Sequence, residues 1–199
     1  MQIKADKSAT QVAAALQGVD GAVGVAESKW FVAIVNSRHE KTVAKKLQEM
    51  GIDSYVATQE ELHIWNNGKR KKIDRVVIPS IVFVRCTEKT RREIVSLPFI
   101  LRFMVNPAAH SGTLNRPVAV IPSAQISKLR FMLGHADVPV NFSDQRYQIN
   151  DNVRIIRGSL KGLEGAIMKN PDGTHTLTIG IAMLGCAIVK VDSQDVEKI

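Results

Sequence analysis

Eight cations fall in two clusters whose types and spacing suit the neutralisation of a polyanion: Arg38, Lys41, Lys45 and Lys46 in one, and Lys69, Arg70, Lys71 and Lys72 in the other. Closely set Lys and Arg hold phosphates by Coulomb attraction and counterion release, a contact that tolerates any base sequence and weakens with salt. The same residues would also serve as an ordinary solvated helix face, or as lysine protection of a strand edge. Bond-making chemistry finds no comparable pattern. The histidines at 39, 63, 110, 135 and 175 are scattered, no H-E-x-x-H occurs, and no cysteine pair has metal-ligand spacing. The glycines of 158–165 lack the G-K-[ST] of a phosphate loop, and no nucleophile has a recognisable base beside it. The expectation is a binding protein, not an enzyme, with no cofactor and no metal.

Where the charge lies says more than its total. The formal charge of the 199 residues is +8. Residues 30–133 hold 17 Lys and Arg against 8 Asp and Glu, a net +9, while residues 1–29 and 147–199 each balance and residues 134–146 come to −1. A field confined to one segment points to nucleic acid or an acidic protein surface. Membrane lipid fits less well, because no basic amphipathic helix displays bulky apolar residues. No apolar run reaches the length of a membrane span, so a cytoplasmic location is expected, without a membrane. Cys86 and Cys186 lie far apart in apolar stretches and read as two reduced core thiols.

The elements that must position the cations follow from periodicity. Residues 30–35 form an unbroken β-prone apolar run, the pattern of an inner strand. Ser37 and Glu40 have capping-box spacing, and Gly51 supplies a stop. Between them Val43, Ala44, Leu47 and Met50 share one side of a helix and Arg38, Lys41 and Lys45 the other. Residues 55–58 read as a second strand. Residues 61–65 and 69–73, joined by Asn66-Asn67-Gly68, read as a β-hairpin carrying the second cluster. Residues 76–84 suggest one strand with Pro79 near its start. A helix capped at Thr90, or starting nearer Thr87, then ends at Pro98, and residues 100–105 form a strand. A short strand at 118–121 precedes a helix capped by Ser123, with Ile126, Leu129 and Leu133 on one side. Helices mixed with a largely antiparallel sheet make an α+β sandwich.

Residues 134–146 have no periodicity and read as a linker. Short strands at 152–157, 164–169, 175–181 and 187–191, with a Pro171-Asp172-Gly173 turn, then read as a small β-barrel. The division expected is a poorly ordered extension at 1–29 with one short helix near 10–16, a domain at 30–133, the linker, and a barrel at 147–199.

These residues carry a resemblance. Residues 30–106, with W-F-V-A-I-V, a helix, a basic hairpin and I-P-S-I-V-F-V, resemble the amino-terminal (NGN) domain of the NusG family of transcription elongation factors. Residues 147–199, with D-N-V-R-I-I-R-G-S-L-K-G-L-E-G-A-I, resemble its SH3-like KOW barrel. R-P-V-A-V-I-P-S-A-Q-I at 116–126, R-F-M-L at 130–133 and M-L-G-C-A at 183–187 are similar to UpxY-type antiterminators of capsular polysaccharide operons. Three departures stand out. The family's P-G-Y-V-F reads Pro79-Ser80-Ile81-Val82-Phe83, its G-P-F reads Gly158-Ser159-Leu160, and its I-F-G-R reads Met183-Leu184-Gly185-Cys186.

The resemblance implies a monomer that docks on the clamp helices of RNA polymerase through an apolar depression, at positions matching Ile34, Ile78, Ile81 and Phe83, with Tyr55 and Trp65 as neighbours. Arg91 and Arg92 match a region touching the opposite side of the polymerase cleft. The two cationic clusters would meet upstream or non-template DNA, or nascent RNA. Ribosomal protein S10 and the termination factor Rho are the partners the family offers to the barrel, and the three departures bear on both. The implied activity is suppression of pausing and termination. Two other readings stand beside it: an RNA- or ribosome-associated KOW module, against which the neutral charge of 147–199 argues, and a housekeeping NusG that couples to Rho.

Overall fold

The computed structural model describes residues 27–65, 68, 70–106, 116–144, 151–170 and 173–199. Its elements run β1 (Lys29–Ile34), α1 (Glu40–Glu49), β2 (Asp53–Tyr55), β3 (Thr58–Ile64), β4 (Arg70–Val76), β5 (Ile81–Cys86), α2 (Glu88–Ile94), β6 (Arg102–Phe103) and β7 (Val120–Ile121). They continue with α3 (Ser123–His135), β8 (Asn141–Ser143), β9 (Asp151–Ile155), β10 (Glu164–Lys169), β11 (His175–Ile181), β12 (Gly185–Val191), a 3₁₀ turn at Ser193–Asp195 and β13 (Val196–Lys198). The chain divides into two compact units, one reaching to Val56 and resuming at Pro79–Ile121, the other made of Ala57–Ile78 and Pro122–Ile199. The mixed α/β architecture with antiparallel sheets is the α+β class expected, an NGN-type sandwich followed by a β-rich KOW-like region. The extension expected at 1–29, with its helix near 10–16, lies outside the described residues up to position 26. No described helix is long and apolar enough to cross a membrane.

The first unit is built on β1, which the apolar run at 30–35 places inside the sheet. Strands β2, β5, β1 and β6 lie in that order, all pairings antiparallel, with β7 also against β1. Alternation sends Phe31, Ala33, Val82 and Val84 to one face, where Val43, Ala44 and Leu47 of α1 join them with Ile94, Leu97 and Phe103 in one cluster. Leu47 is fully buried there, a burial worth roughly 1.5–3 kcal/mol. Helix α1 ends as expected. Gly51, at φ 76°, donates to Gln48 O (2.9 Å), and Ile52 N–H reaches back to Leu47 O (2.9 Å), the paired bonds of a Schellman stop.

The start of α1 differs from the capping box. The helix begins at Glu40 with His39 as N-cap and no side-chain cap bond, so Glu40 occupies the first helical position and not the third that a box with Ser37 requires. Arg38, at φ 68°, turns the chain just before it. The buried Glu40 carboxylate instead accepts from Ser80 N–H (2.6 Å). That bond secures a second departure: residues 76–84 do not form one strand. Pro79 lacks a donor and Ser80 sits at φ 62°, so a turn separates β4 from β5. A left-handed serine costs more than a glycine would, while glycine loses more chain entropy on folding. Ser80→Gly is therefore expected to raise stability by no more than about 1 kcal/mol, read as a small upward shift in the urea midpoint. Thr87 caps α2, its hydroxyl accepting from Thr90 N–H (3.2 Å).

The second unit holds a six-stranded antiparallel sheet, β13-β9-β10-β11-β12-β8, and the two-stranded β3–β4 hairpin. The barrel strands fall where the turn spacing puts them, with β13 and β8 in addition. The hairpin turn is also as read: Gly68, at φ 75°, donates to Trp65 O (2.8 Å). The stretch at 134–146 carries more structure than a linker composition suggests. Val140 is buried, and β8 pairs with β12 through Phe142↔Ala187. This contact needs a glycine, since a Cβ on Gly185 (φ 137°) would stand 2.1 Å from Ser143 O. Helix α3 starts at Ser123, but Pro122 is its N-cap and no side chain caps it.

Candidate functional site

The apolar positions come first, because sheet register decides which of them meet. Val32 pairs with Phe83, Ile34 with Ile81, and Tyr55 with Phe83. Directly opposed residues point to the same side, so Trp30, Val32, Ile34, Tyr55, Ile81 and Phe83 share the sheet face opposite the α1 cluster. Ile34, Ile81, Phe83 and Tyr55 are thus brought together. Ile78 is not among them, since it lies between β4 and β5.

The residues expected to line an open depression differ in exposure. Ile78, Ile81 and Phe83 are 3%, 7% and 0% exposed, and only Ile34 and Tyr55 keep partial exposure. Ile81, Val82, Phe83 and Val84 are all buried, so β5 is covered on both faces and not on the α1 face alone. Phe83 stacks on Tyr55 with centroids 5.9 Å apart and 24° between planes. Trp65 belongs to the other compact unit. It follows β3 at the hairpin end and is 52% exposed.

Arg91 and Arg92 differ in their surroundings. The Arg91 side chain is 11% exposed, its guanidinium lies 5.8 Å from the Phe31 ring centroid and 5.4 Å from that of Phe103, and it donates twice to the Glu88 carboxylate (Nε 2.8 Å, Nη2 2.6 Å). A guanidinium between two aromatic rings and a carboxylate is internal scaffolding. Those hydrogen bonds hold the Glu88 carboxyl down at about 2. Arg92 is the surface member of the pair, 74% exposed and 3.1 Å from Glu88. Beside them burial pushes the Cys86 thiol up to about 12, with the Arg91 charge opposing, so Cys86 stays protonated and inert. Neither cysteine is in a disulfide.

Of the first cationic cluster, Arg38, Lys41, Lys45 and Lys46 are all exposed. Lys45 lies 3.9 Å from Glu49, one turn on, and Lys46 stands 5.2 Å over the Phe99 ring. Exposed pairs of this kind hold a side chain weakly and leave it available to a phosphate. Of the second cluster Arg70, Lys71 and Lys72 are exposed on β4, while Lys69 lies outside the described residues. Lys72 is paired with Glu60 (2.7 Å), which raises its pKa through that hydrogen bond.

The periodicity gives no sign of what anchors the hairpin. The buried Gln59 amide donates to Val138 O (2.9 Å) and accepts from Val140 N–H (2.8 Å). Arg75 donates to Val140 O (2.8 Å) and pairs with Glu61. One buried glutamine has no sequence signature. Only the conjunction of Gln59 and Arg75 at the base of a hairpin otherwise fringed with lysine hints at a fixed root. Among the described residues no cluster of His, Cys, Asp and Glu is placed to hold a metal ion.

Comparison with known proteins completes the site. Residues 28–130 match the family model described as "Transcription termination factor nusG". No curated protein matches the chain in sequence. Among solved structures it is similar to that of "Domain interaction in Thermotoga maritima NusG", at 16% identity over 88% of this chain and 99% of that one, with a TM-score of 0.44. It is also similar to a chain of the "MjSpt4:Spt5 complex conformation B", at 13% identity over 85% of this chain and 96% of that one, with a TM-score of 0.27.

Proposed function

Because the chain belongs to the NusG family of transcription factors, we propose that it is an elongation and antitermination factor that binds RNA polymerase and the nucleic acid beside it, suppressing pausing and termination. The UpxY-like stretches at 116–126 and 183–187 support a specialised factor serving one capsular polysaccharide operon. The observation that carries the reading is the family match over the segment that holds all the excess positive charge, with the α1 cations exposed. The factor works by binding energy and positioning, in keeping with a family of non-enzymatic proteins.

Its polymerase contact is narrower than a broad greasy seat. Ile34 and Tyr55, half-buried on the sheet face, touch the clamp helices, and their cross-strand partners Ile81 and Phe83 hold them in place from beside. Arg92 offers the charge once divided between two arginines. Arg38, Lys41, Lys45 and Lys46 contact phosphates. The working domains remain 30–133 and 147–199, with 134–146 between them.

Charge reversal at Lys45 and Lys46 together is expected to weaken binding to elongation complexes and to flatten the slope of log affinity against log salt by roughly one unit per lost contact. An unchanged slope would remove these lysines from the phosphate interface. Affinity capture from lysate separates the classes of function. Salt-stable recovery of RNA polymerase supports the proposal, while recovery of ribosomal RNA alone supports an RNA-binding KOW module. Chromosome-wide occupancy then tells a single-operon factor from a housekeeping one that couples to Rho.

A further inference from the structure

The hairpin exposes more than charge. Leu62, Ile64 and Trp65 are 57%, 57% and 52% exposed, although a tryptophan ring is among the largest apolar surfaces a chain can bury. His63 and Trp65 meet T-shaped, ring centroids 4.7 Å apart and planes at 78°, which limits the orientations open to the indole. Lys71 is the cross-strand partner of His63, so it stands on the hairpin face that carries the indole, while Arg70, opposite Ile64, lies on the other face. An aromatic ring held at a defined angle beside a cation is the combination that binds single-stranded nucleic acid, the ring taking a base face and the cation a phosphate.

We propose that the β3–β4 hairpin captures unpaired bases of single-stranded nucleic acid by stacking them on Trp65, with Lys71, on the same face, holding the adjoining phosphate. The inference rests on the nucleic-acid reading above and deepens it from phosphate contact to base contact. A duplex keeps its base faces stacked on one another and offers the indole nothing, so single strands are preferred. The Gln59 and Arg75 anchors give the hairpin a fixed root, which lowers the ordering entropy lost on binding.

Fluorescence titration of the full chain tests this, since Trp30 is 4% exposed and the accessible indole is that of Trp65. The probes are an oligothymidylate of about 15 nucleotides, an abasic strand of the same length, and the matching duplex. Oligothymidylate should quench the emission, and the abasic strand should bind more weakly without quenching. Trp65→Ala should lose on the order of tenfold in affinity for oligothymidylate and nothing for the abasic strand, with Trp65→Phe between. The charge variant Lys71→Glu should weaken both. If Trp65→Ala leaves oligothymidylate affinity unchanged while the charge variant weakens it, stacking is overturned and the phosphate reading survives. If no probe binds the wild type, both fail. If Trp65→Ala instead lowers polymerase capture with oligonucleotide affinity intact, the hairpin is a protein contact and the inference is overturned.

Discussion

Phe83→Ala is expected to destabilise the chain by about 3–5 kcal/mol, read as a large fall in the urea midpoint with the slope unchanged. The ring is fully buried, stacks on Tyr55, and sits mid-way along β5 between Val32 and Tyr55. Truncation removes its transfer energy and leaves a cavity in a sheet that cannot close around it. A surface anchor would behave otherwise, costing little stability and much polymerase affinity. Tyr55→Ala supplies that contrast. It should cost less than half as much stability, because the ring is only half-buried, yet reduce polymerase capture while the sheet stays folded.

Arg91→Ala is the second large effect, about 2–4 kcal/mol near pH 7, against about 0.5 kcal/mol or less for Arg92→Ala. The difference follows from surroundings. Arg91 loses two aromatic contacts and a two-pronged hydrogen bond, whereas Arg92 loses one exposed pair worth little. Half of the Glu88 side chain meets water, which holds the ionic share of the Arg91 effect to the low end.

Acid adds a check with a definite sign. Glu88 is depressed from its ordinary 4.5 to about 2 in the folded chain. A group with a lowered folded pKa contributes stability that is complete above its unfolded pKa and lost as pH falls through the folded one. The Arg91→Ala deficit should therefore be full above about pH 4.5 and shrink towards about pH 2, as Glu88 protonates with or without its partner. Urea midpoints near pH 7 and near pH 2.5 measure it. A deficit constant with pH would mean that the aromatic contacts do all the work of Arg91.

Local signals were the readable ones. The apolar run of β1, Gly51 as a helix stop, the Gly68 turn and the barrel strands each depend on a few adjacent residues, and the structure has them. What escaped was decided by neighbours distant in the chain. Ile81 and Phe83 look alike whether their sheet face is open or covered, and the apolar run of β5 does not say which. Arg91 and Arg92 are chemically identical and adjacent, and the packing of Phe31 and Phe103 alone makes one internal. Glu40 had capping spacing, but its real partner is Ser80, forty residues on. The stretch after α3 lacked periodicity because its bonds go outward, from Val138 and Val140 to Gln59 and Arg75 and from β8 to β12.

The central claim is that this chain acts on transcribing polymerase without chemistry of its own. The most direct measurement is pause lifetime and terminator read-through in elongation complexes assembled from purified polymerase, with and without saturating protein. The account predicts shorter pauses and more read-through, both diminished by Tyr55→Ala and by the reversed Lys45 and Lys46. Unchanged pausing and termination, with the protein folded and in excess, would contradict it.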